Sequence, residues 1–392
     1  MKPHLANMLA IAGVAGALAS CAPFNVTLPV SPGSPEDTNA CGPLTGQMVM
    51  AGYPSPPSPA GGCVRAQNDV YLAIQAAKVE PSWDTDPAGL RAALAGLCPP
   101  PGGSWAVFAN TDAPTVMHSV AYYITHNRYP VAALLNTTGH AFSTHQEHWV
   151  TIKGIGTDVD PTGGTPETLE YVWFIDPAVA VGNPAVERYV AASTWFTQFQ
   201  AVTKPGSAYL GKFVAVIEPP PRSGRVKFRP EVLSGTLIPE RLALRAAEKW
   251  VKGVKVERLG SYRELARSRP LPPILVDSER GGYYLVPFSP DGKQARFAVL
   301  VNAYTGGFQE VGAFASSSFI SANEAEKLAV DALGGKAQSI QTEAVSSAEA
   351  GASRYQPVWR VWVDGRPVDV TQRGQVFPNR PSGKQRPPAA RY

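Results

Sequence analysis

The chain has 392 residues, with 35 Lys and Arg against 31 Asp and Glu, 38 Pro, 36 Gly and four Cys. That length exceeds what one core usually serves, which points to two domains, and 44% apolar residues at a net charge of +4 exclude wholesale disorder. Collagen, coiled-coil and multispan membrane architectures are excluded as well: the one long apolar run, Met8 to Leu18, is too short to span a bilayer, and no CxxC pair suggests zinc or a redox motif.

The elements in chain order begin with a signal. Met1-Lys2, the short apolar run and the small residues Ala19-Ser20 predict a secretory signal peptide over residues 1–20. The ending Leu18-Ala19-Ser20-Cys21 resembles the lipobox of bacterial lipoproteins. That resemblance implies cleavage before Cys21 and acylation of its sulfur. Ala22 in place of an Asp resembles an outer-membrane sorting signal. The expected location is the bacterial cell envelope, lipid-anchored in the outer membrane and facing the oxidising periplasm.

Residues 21–217 hold the chemistry. Asn39-Ala40-Cys41-Gly42-Pro43 precedes the apolar-rich Leu44 to Met50, predicted to be helical with Pro43 near its first turn. The Cys41 sulfur then sits at a helix N-terminus, where unpaired N–H groups and the backbone dipole favour thiolate. A thiol nucleophile also needs a base. His148-Trp149-Val150 opens a β-branched strand running to Ile155, and Tyr171 to Asp176 is a strand that ends in a carboxylate before Pro177. Neighbouring antiparallel strands of this kind bring imidazole and carboxylate within hydrogen-bond reach, with the other ring nitrogen left for the thiol. His140, His145 and His148 offer three imidazoles for an open zinc site. Their segment, however, reads as a loop without regular spacing, so no metal site and no cofactor are expected.

In the order Cys-Gly-Pro, His-Trp-Val, Asp-Pro, residues 24–217 resemble the papain-like cysteine peptidases, particularly the bacteriocin-processing type. Trp83 to Leu90 resembles that family's capped helix after the nucleophile helix, and Tyr129 to Leu135 its strand before the histidine. The resemblance implies Cys41 as nucleophile, His148 as general base and acid, and Asp176 as its orienting partner. One departure stands out. The family carries a Gln six residues before the nucleophile, and Pro35 occupies that position here. Asn39, Thr38 or a residue displaced by the Ser31-Pro-Gly-Ser-Pro35 insertion are substitutes for that donor among which the sequence does not choose, so the oxyanion donor stays unassigned. The departure also keeps a second reading open, a catalytically silent peptide-binding envelope lipoprotein.

A proline-rich stretch over 218–224, Glu218-Pro-Pro-Pro-Arg-Ser-Gly224, predicts a semi-rigid linker. Charge changes sign across it: residues 22–217 carry 8 basic and 14 acidic side chains, residues 218–392 carry 26 and 17. Modules of opposite sign suggest intramolecular docking, in one version with the basic module covering the acidic module's cleft.

Within 225–377, Pro239 to Val251 and Ala325 to Leu333 have helical periodicity, the second led by a Ser321–Glu324 capping box and closed by Gly334-Gly335. Strands follow each helix: Tyr283 to Phe288, Arg296 to Asn302 and Phe308 to Val311, then Val358 to Val363, an Asp364-Gly365 turn, Val368 to Thr371 and Gln375 to Phe377. A helix on an antiparallel sheet, twice repeated, resembles PepSY-type modules. Residues 378–392 read as a disordered basic tail.

The expected class is therefore α+β, a papain-like domain followed by a tandem helix/antiparallel-sheet PepSY-like domain. The expected function is an envelope-anchored thiol hydrolase acting on peptide or protein substrates. Nucleic acid is excluded as a partner, because the basic half lacks interleaved stacking aromatics. With Cys21 assigned to lipid, Cys63 and Cys98 form the natural disulfide and Cys41 remains free.

Overall fold

The computed structural model describes residues 24–37, 40–53, 63, 65–99, 104–136, 147–178, 185–253, 262–278, 281–317, 319–346, 355, 357–372 and 374–378. The signal peptide with Cys21, the pair His140 and His145, Thr38, Asn39 and residues 379–392 lie outside the described residues.

The elements are β1 (Phe24–Thr27), α1 (Cys41–Ala51), α2 (Gln67–Ala77), α3 (Pro87–Leu97), β2 (Ala106–Asn110), α4 (Ala113–His126), β3 (Val131–Asn136), β4 (Glu147–Thr157), β5 (Leu169–Asp176), β6 (Val186–Ala191), α5 (Ala192–Gln198) and β7 (Phe213–Ile217). The second half adds α6 (Glu240–Gly253), β8 (Arg269–Pro270), β9 (Ile274–Ser278), β10 (Tyr283–Ser289), β11 (Ala295–Asn302), β12 (Phe308–Ser317), α7 (Ala322–Ala332), β13 (Ile340–Ser346), β14 (Val358–Val363), β15 (Arg366–Val370) and β16 (Val376–Pro378). Helices and a large, mostly antiparallel mixed sheet make the chain α+β. Among the described residues, no helix is long and apolar enough to cross a membrane.

The strands form one sheet in the order β16-β15-β14-β13-β9-β10-β11-β12-β6-β5-β4-β3-β7-β2. Only β13 on β9 is a parallel pairing along this path. The sheet is buried on both faces, and alternation explains how. Val131, Ala133 and Leu135 of β3 pack with Val116, Met117 and Val120 of α4, while Ala132 and Leu134 face the α2–α3 side with Val70, Ile74, Leu90 and Leu94. In the second half Tyr284, Val286 and Phe288 of β10 pack under Ala243, Ala247 and Trp250 of α6. Their neighbours Tyr283 and Leu285 point the other way, toward Ala325 and Ala329 of α7. Each helix thus covers the face its partner leaves bare.

Local signals set the helix ends. Asp86 caps α3, its Oδ1 accepting from Gly89 N–H at 2.6 Å and its Oδ2 from Val79 and Glu80 N–H at 2.6 and 2.7 Å. Ser321 and Glu324 form the reciprocal capping box on α7. The turn joining β14 to β15 has positive φ at both Asp364 and Gly365 (50° and 78°), the geometry of the tightest hairpins.

Two features go beyond the sequence reading. The proline-rich segment lies along α4: Tyr123 Oη donates to Pro220 O, Arg222 N–H donates to Ser119 Oγ at 2.8 Å, and the Arg222 guanidinium lies 4.1 Å from the Tyr122 ring centre. And β12 continues past Val311 along β11, Ala313 opposite Phe297 and Ser317 opposite Ala295, while its far edge pairs antiparallel with β6 of the first half, Glu310 opposite Val190, Val311 opposite Tyr189 and Gly312 opposite Arg188. The two halves therefore share backbone hydrogen bonds.

Candidate active site

Cys41 is the first residue of α1, whose leading turn has no side-chain cap and includes Pro43, which has no N–H. Gly42 is required there: a Cβ would overlap the Thr85 side chain. Thr85 is held in turn by its carbonyl, which accepts from Trp149 Nε1 at 3.0 Å. Thr151 Oγ1 donates to Thr45 O at 3.4 Å, tying α1 to β4. These contacts fix the half-buried Cys41 thiol beside His148 at the start of β4.

The sheet supplies the rest. Val150 and Ile152 of β4 and Val172 and Phe174 of β5 share one core, so His148 and Asp176, in phase with them, share that face. Thr151 pairs with Ile175, which sets Asp176 at the end of β5 diagonal to His148. The His148 Nε2 to Asp176 Oδ1 distance is 2.7 Å, with both side chains buried. Nε2 is thus engaged by the carboxylate, and Nδ1 is left for the thiol, whose thiolate form the ring favours. The three residues singled out in the sequence come together, ring to carboxylate by a hydrogen bond and thiol to ring electrostatically.

Electrostatics polarise the series. Burial alone would push the Cys41 thiol up, but the His148 ring and the backbone N–H groups of Trp149 and Gly42 together bring it below its ordinary value of 9.0. Burial opposes protonation of His148, yet the Asp176 carboxylate and the thiolate outweigh it and raise the ring to about 10. Both shifts act in the same direction, favouring the thiolate–imidazolium pair over the neutral one.

Asp176 has further partners that the sequence reading missed. Its Oδ1 also accepts from Ala178 N–H at 2.9 Å, and its Oδ2 accepts from Arg188 Nη1 at 2.8 Å. Arg188 Nε in turn donates to Glu310 Oε1 at 2.5 Å. The available signal was a charge inside an otherwise apolar strand, Arg188 in Val-Glu-Arg-Tyr-Val-Ala and Glu310 in Phe-Gln-Glu-Val. Such a charge needs a partner when buried.

Cys63 and Cys98 are joined in a disulfide with Cα atoms 5.6 Å apart, and Cys41 is free. Of the three histidines weighed for zinc, only His148 is described, and it is committed to Asp176 and Cys41; among the described residues no cluster of His, Cys, Asp or Glu could hold a metal ion. Pro35 is buried and offers no N–H. No family model, no curated protein and no solved structure matches the chain.

Proposed function

We propose that the protein is a thiol hydrolase of papain-like type, most simply a peptidase, carried on a lipid anchor at Cys21 on the periplasmic side of the outer membrane. What supports the chemistry is the Cys41–His148–Asp176 series, with its thiol lowered, its imidazole raised and the thiolate held by two backbone N–H groups. The Cys41 thiolate attacks a carbonyl carbon, forming an S–C bond and an oxyanion. Collapse of this adduct breaks the C–N bond, and the His148 imidazolium gives its proton to the leaving amine. Neutral His148 then takes a proton from water, whose oxygen attacks the thioester. Release of the carboxylic acid restores thiolate and imidazolium. Asp176 keeps Nε2 engaged throughout, so that Nδ1 alone exchanges protons.

The second half, with its PepSY-like helix-and-meander units, serves this reading as a regulatory or supporting module. The Pro35 departure favours one other reading, a catalytically silent lipoprotein that binds peptide in the same cleft, and turnover of any amide or thioester substrate excludes it. Labelling with iodoacetamide or an epoxide probe of the E-64 type tests the proposal. Labelling is expected to require both Cys41 and His148. Equal labelling of a Cys41→Ala variant would remove the thiol-hydrolase reading.

A further inference from the structure

Four strands carry one row of charge across the sheet. His148 on β4, Asp176 on β5, Arg188 on β6 and Glu310 on β12 stand on the same face, and the register shows why. Arg188 pairs with Phe174 and lies 5.0 Å over its ring, Gly312 pairs with Arg188, and Glu310 is two residues before Gly312. The row is dry: Asp176, Arg188 and Glu310 are 5%, 4% and 0% exposed. Charges so placed are little screened by salt and interact over several ångströms. The last of them is built into the second half of the chain.

The sign of each interaction gives the row its effect. Asp176 lies between two cations, the His148 ring and the Arg188 guanidinium. An arginine with no other partner would draw the carboxylate's charge to itself and weaken its hold on the imidazolium. Glu310 occupies the opposite edge of that guanidinium through Nε and offsets its charge. We propose that Glu310 is a positioning residue for the site: by engaging Arg188 from the second half of the chain, it leaves the Asp176 carboxylate available to hold the His148 imidazolium, and so the Cys41 thiolate. This inference rests on the thiol-hydrolase reading, and it makes the basic half a contributor to the site rather than a cover over it.

The other groups facing the row fit this role. The Tyr355 hydroxyl faces Glu310, and its ring sits where a Cβ on Gly312 would approach to 2.5 Å, so glycine at that position lets Tyr355 close over the pair. Tyr262 Oη donates to Glu187 O at 2.5 Å and to Val311 O at 3.1 Å, bracing β6 against β12. A further ion pair on these strands, Lys153 with Glu187 at 2.7 Å, also engages Val30 O. It lies beside Trp173 and so on the other face of the sheet.

The test is the pH dependence of Cys41 alkylation by iodoacetamide in the full chain, read by peptide mass spectrometry, for wild type, Glu310→Gln and Asp369→Asn. The last variant breaks the Arg360–Asp369 pair at 2.9 Å, remote from the row on β14 and β15, and controls for loss of a buried ion pair. Glu310→Gln is expected to move the acid limb to higher pH, lowering alkylation on that limb by about 3- to 10-fold while the alkaline plateau stays put. Asp369→Asn should follow wild type. A Glu310→Gln profile superimposed on wild type, or displaced no further than Asp369→Asn, overturns the inference. An ordinary-thiol profile in wild type itself overturns the thiol-hydrolase reading and this inference with it. If Glu310→Gln does not fold, Glu310→Asp keeps the charge and weakens its reach to Arg188. A smaller displacement in the same direction supports the inference, and none refutes it.

Discussion

Replacing Asp176 by Asn changes one atom, and its cost can be followed around the site. In the wild type Oδ1 accepts from His148 Nε2 at 2.7 Å and from Ala178 N–H at 2.9 Å, while Oδ2 accepts from Arg188 Nη1 at 2.8 Å. An amide has one acceptor oxygen and one donor NH2 group. Placed one way, its NH2 confronts Arg188; flipped, it confronts the Ala178 N–H. Either orientation leaves a buried donor unpaired, costing about 1–3 kcal/mol of stability. The larger effect is electrostatic. Without the carboxylate, the main cause raising His148 to about 10 is gone, and burial then favours the neutral ring. Cys41 loses its imidazolium and returns to or above its ordinary value of 9.0. A thiol there is about 1% ionised at neutral pH, so alkylation should fall toward that of an ordinary thiol. Timed iodoacetamide labelling with quantitative mass spectrometry measures this, and circular dichroism checks the fold. A folded Asp176→Asn variant that alkylates within about threefold of wild type at neutral pH would refute the reasoning.

The same electrostatics give the wild-type pH profile. The lowered thiol means that thiolate is present above its depressed value and lost as pH falls through it; the raised imidazole means that the general acid is present below about 10 and lost as pH rises through that value. Hydrolysis should therefore trace a bell whose acid limb lies below 9.0 and whose alkaline limb lies near 10. A rise only above 9.0 would contradict it. Gly42→Ala places a methyl against the buried Thr85 side chain, and should cost about 1–3 kcal/mol in urea unfolding and slow alkylation; a neutral effect on both counts against the packing described. The double variant Cys63→Ala with Cys98→Ala opens a loop with a sequence separation of 35 residues, and should lower unfolding free energy by about 3–4 kcal/mol on the chain-entropy estimate. A loss below about 1 kcal/mol would show that the staple does little to the unfolded chain.

The catalytic candidates were legible because each stands where a local signal is strong. Cys41 sits before a proline at a helix start, His148 opens a β-branched strand, and Asp176 closes an aromatic-rich one. The helices α6 and α7 and the strands β10, β11 and β14 also follow from periodicity and caps, to within a few residues. Strands β6 and β13 were not legible. In β13, Ile-Gln-Thr-Glu-Ala-Val-Ser, polar residues dominate, and its place comes from parallel pairing with β9 some seventy residues earlier. Strand β6 holds two adjacent charges, Glu187 and Arg188, which read as a surface segment until each is paired across the sheet. The end of β12 was missed because Gly312 interrupts its pattern, and that glycine is needed for Tyr355. Pairing between distant edges is a tertiary choice, and it is the choice that delivers Glu310 to Arg188. Reading the halves as modules joined by a hinge left that connection out of view.

The central claim is that the His148–Asp176 pair favours the Cys41 thiolate, drawing the thiol below its ordinary value. The ultraviolet absorbance of the thiolate, titrated in the full chain and referenced to a Cys41→Ser variant, reads this without any substrate. The account predicts a Cys41-dependent thiolate signal whose midpoint lies below 9.0 and moves to higher pH in His148→Ala. A signal appearing only at or above 9.0, unchanged by loss of His148, would contradict it.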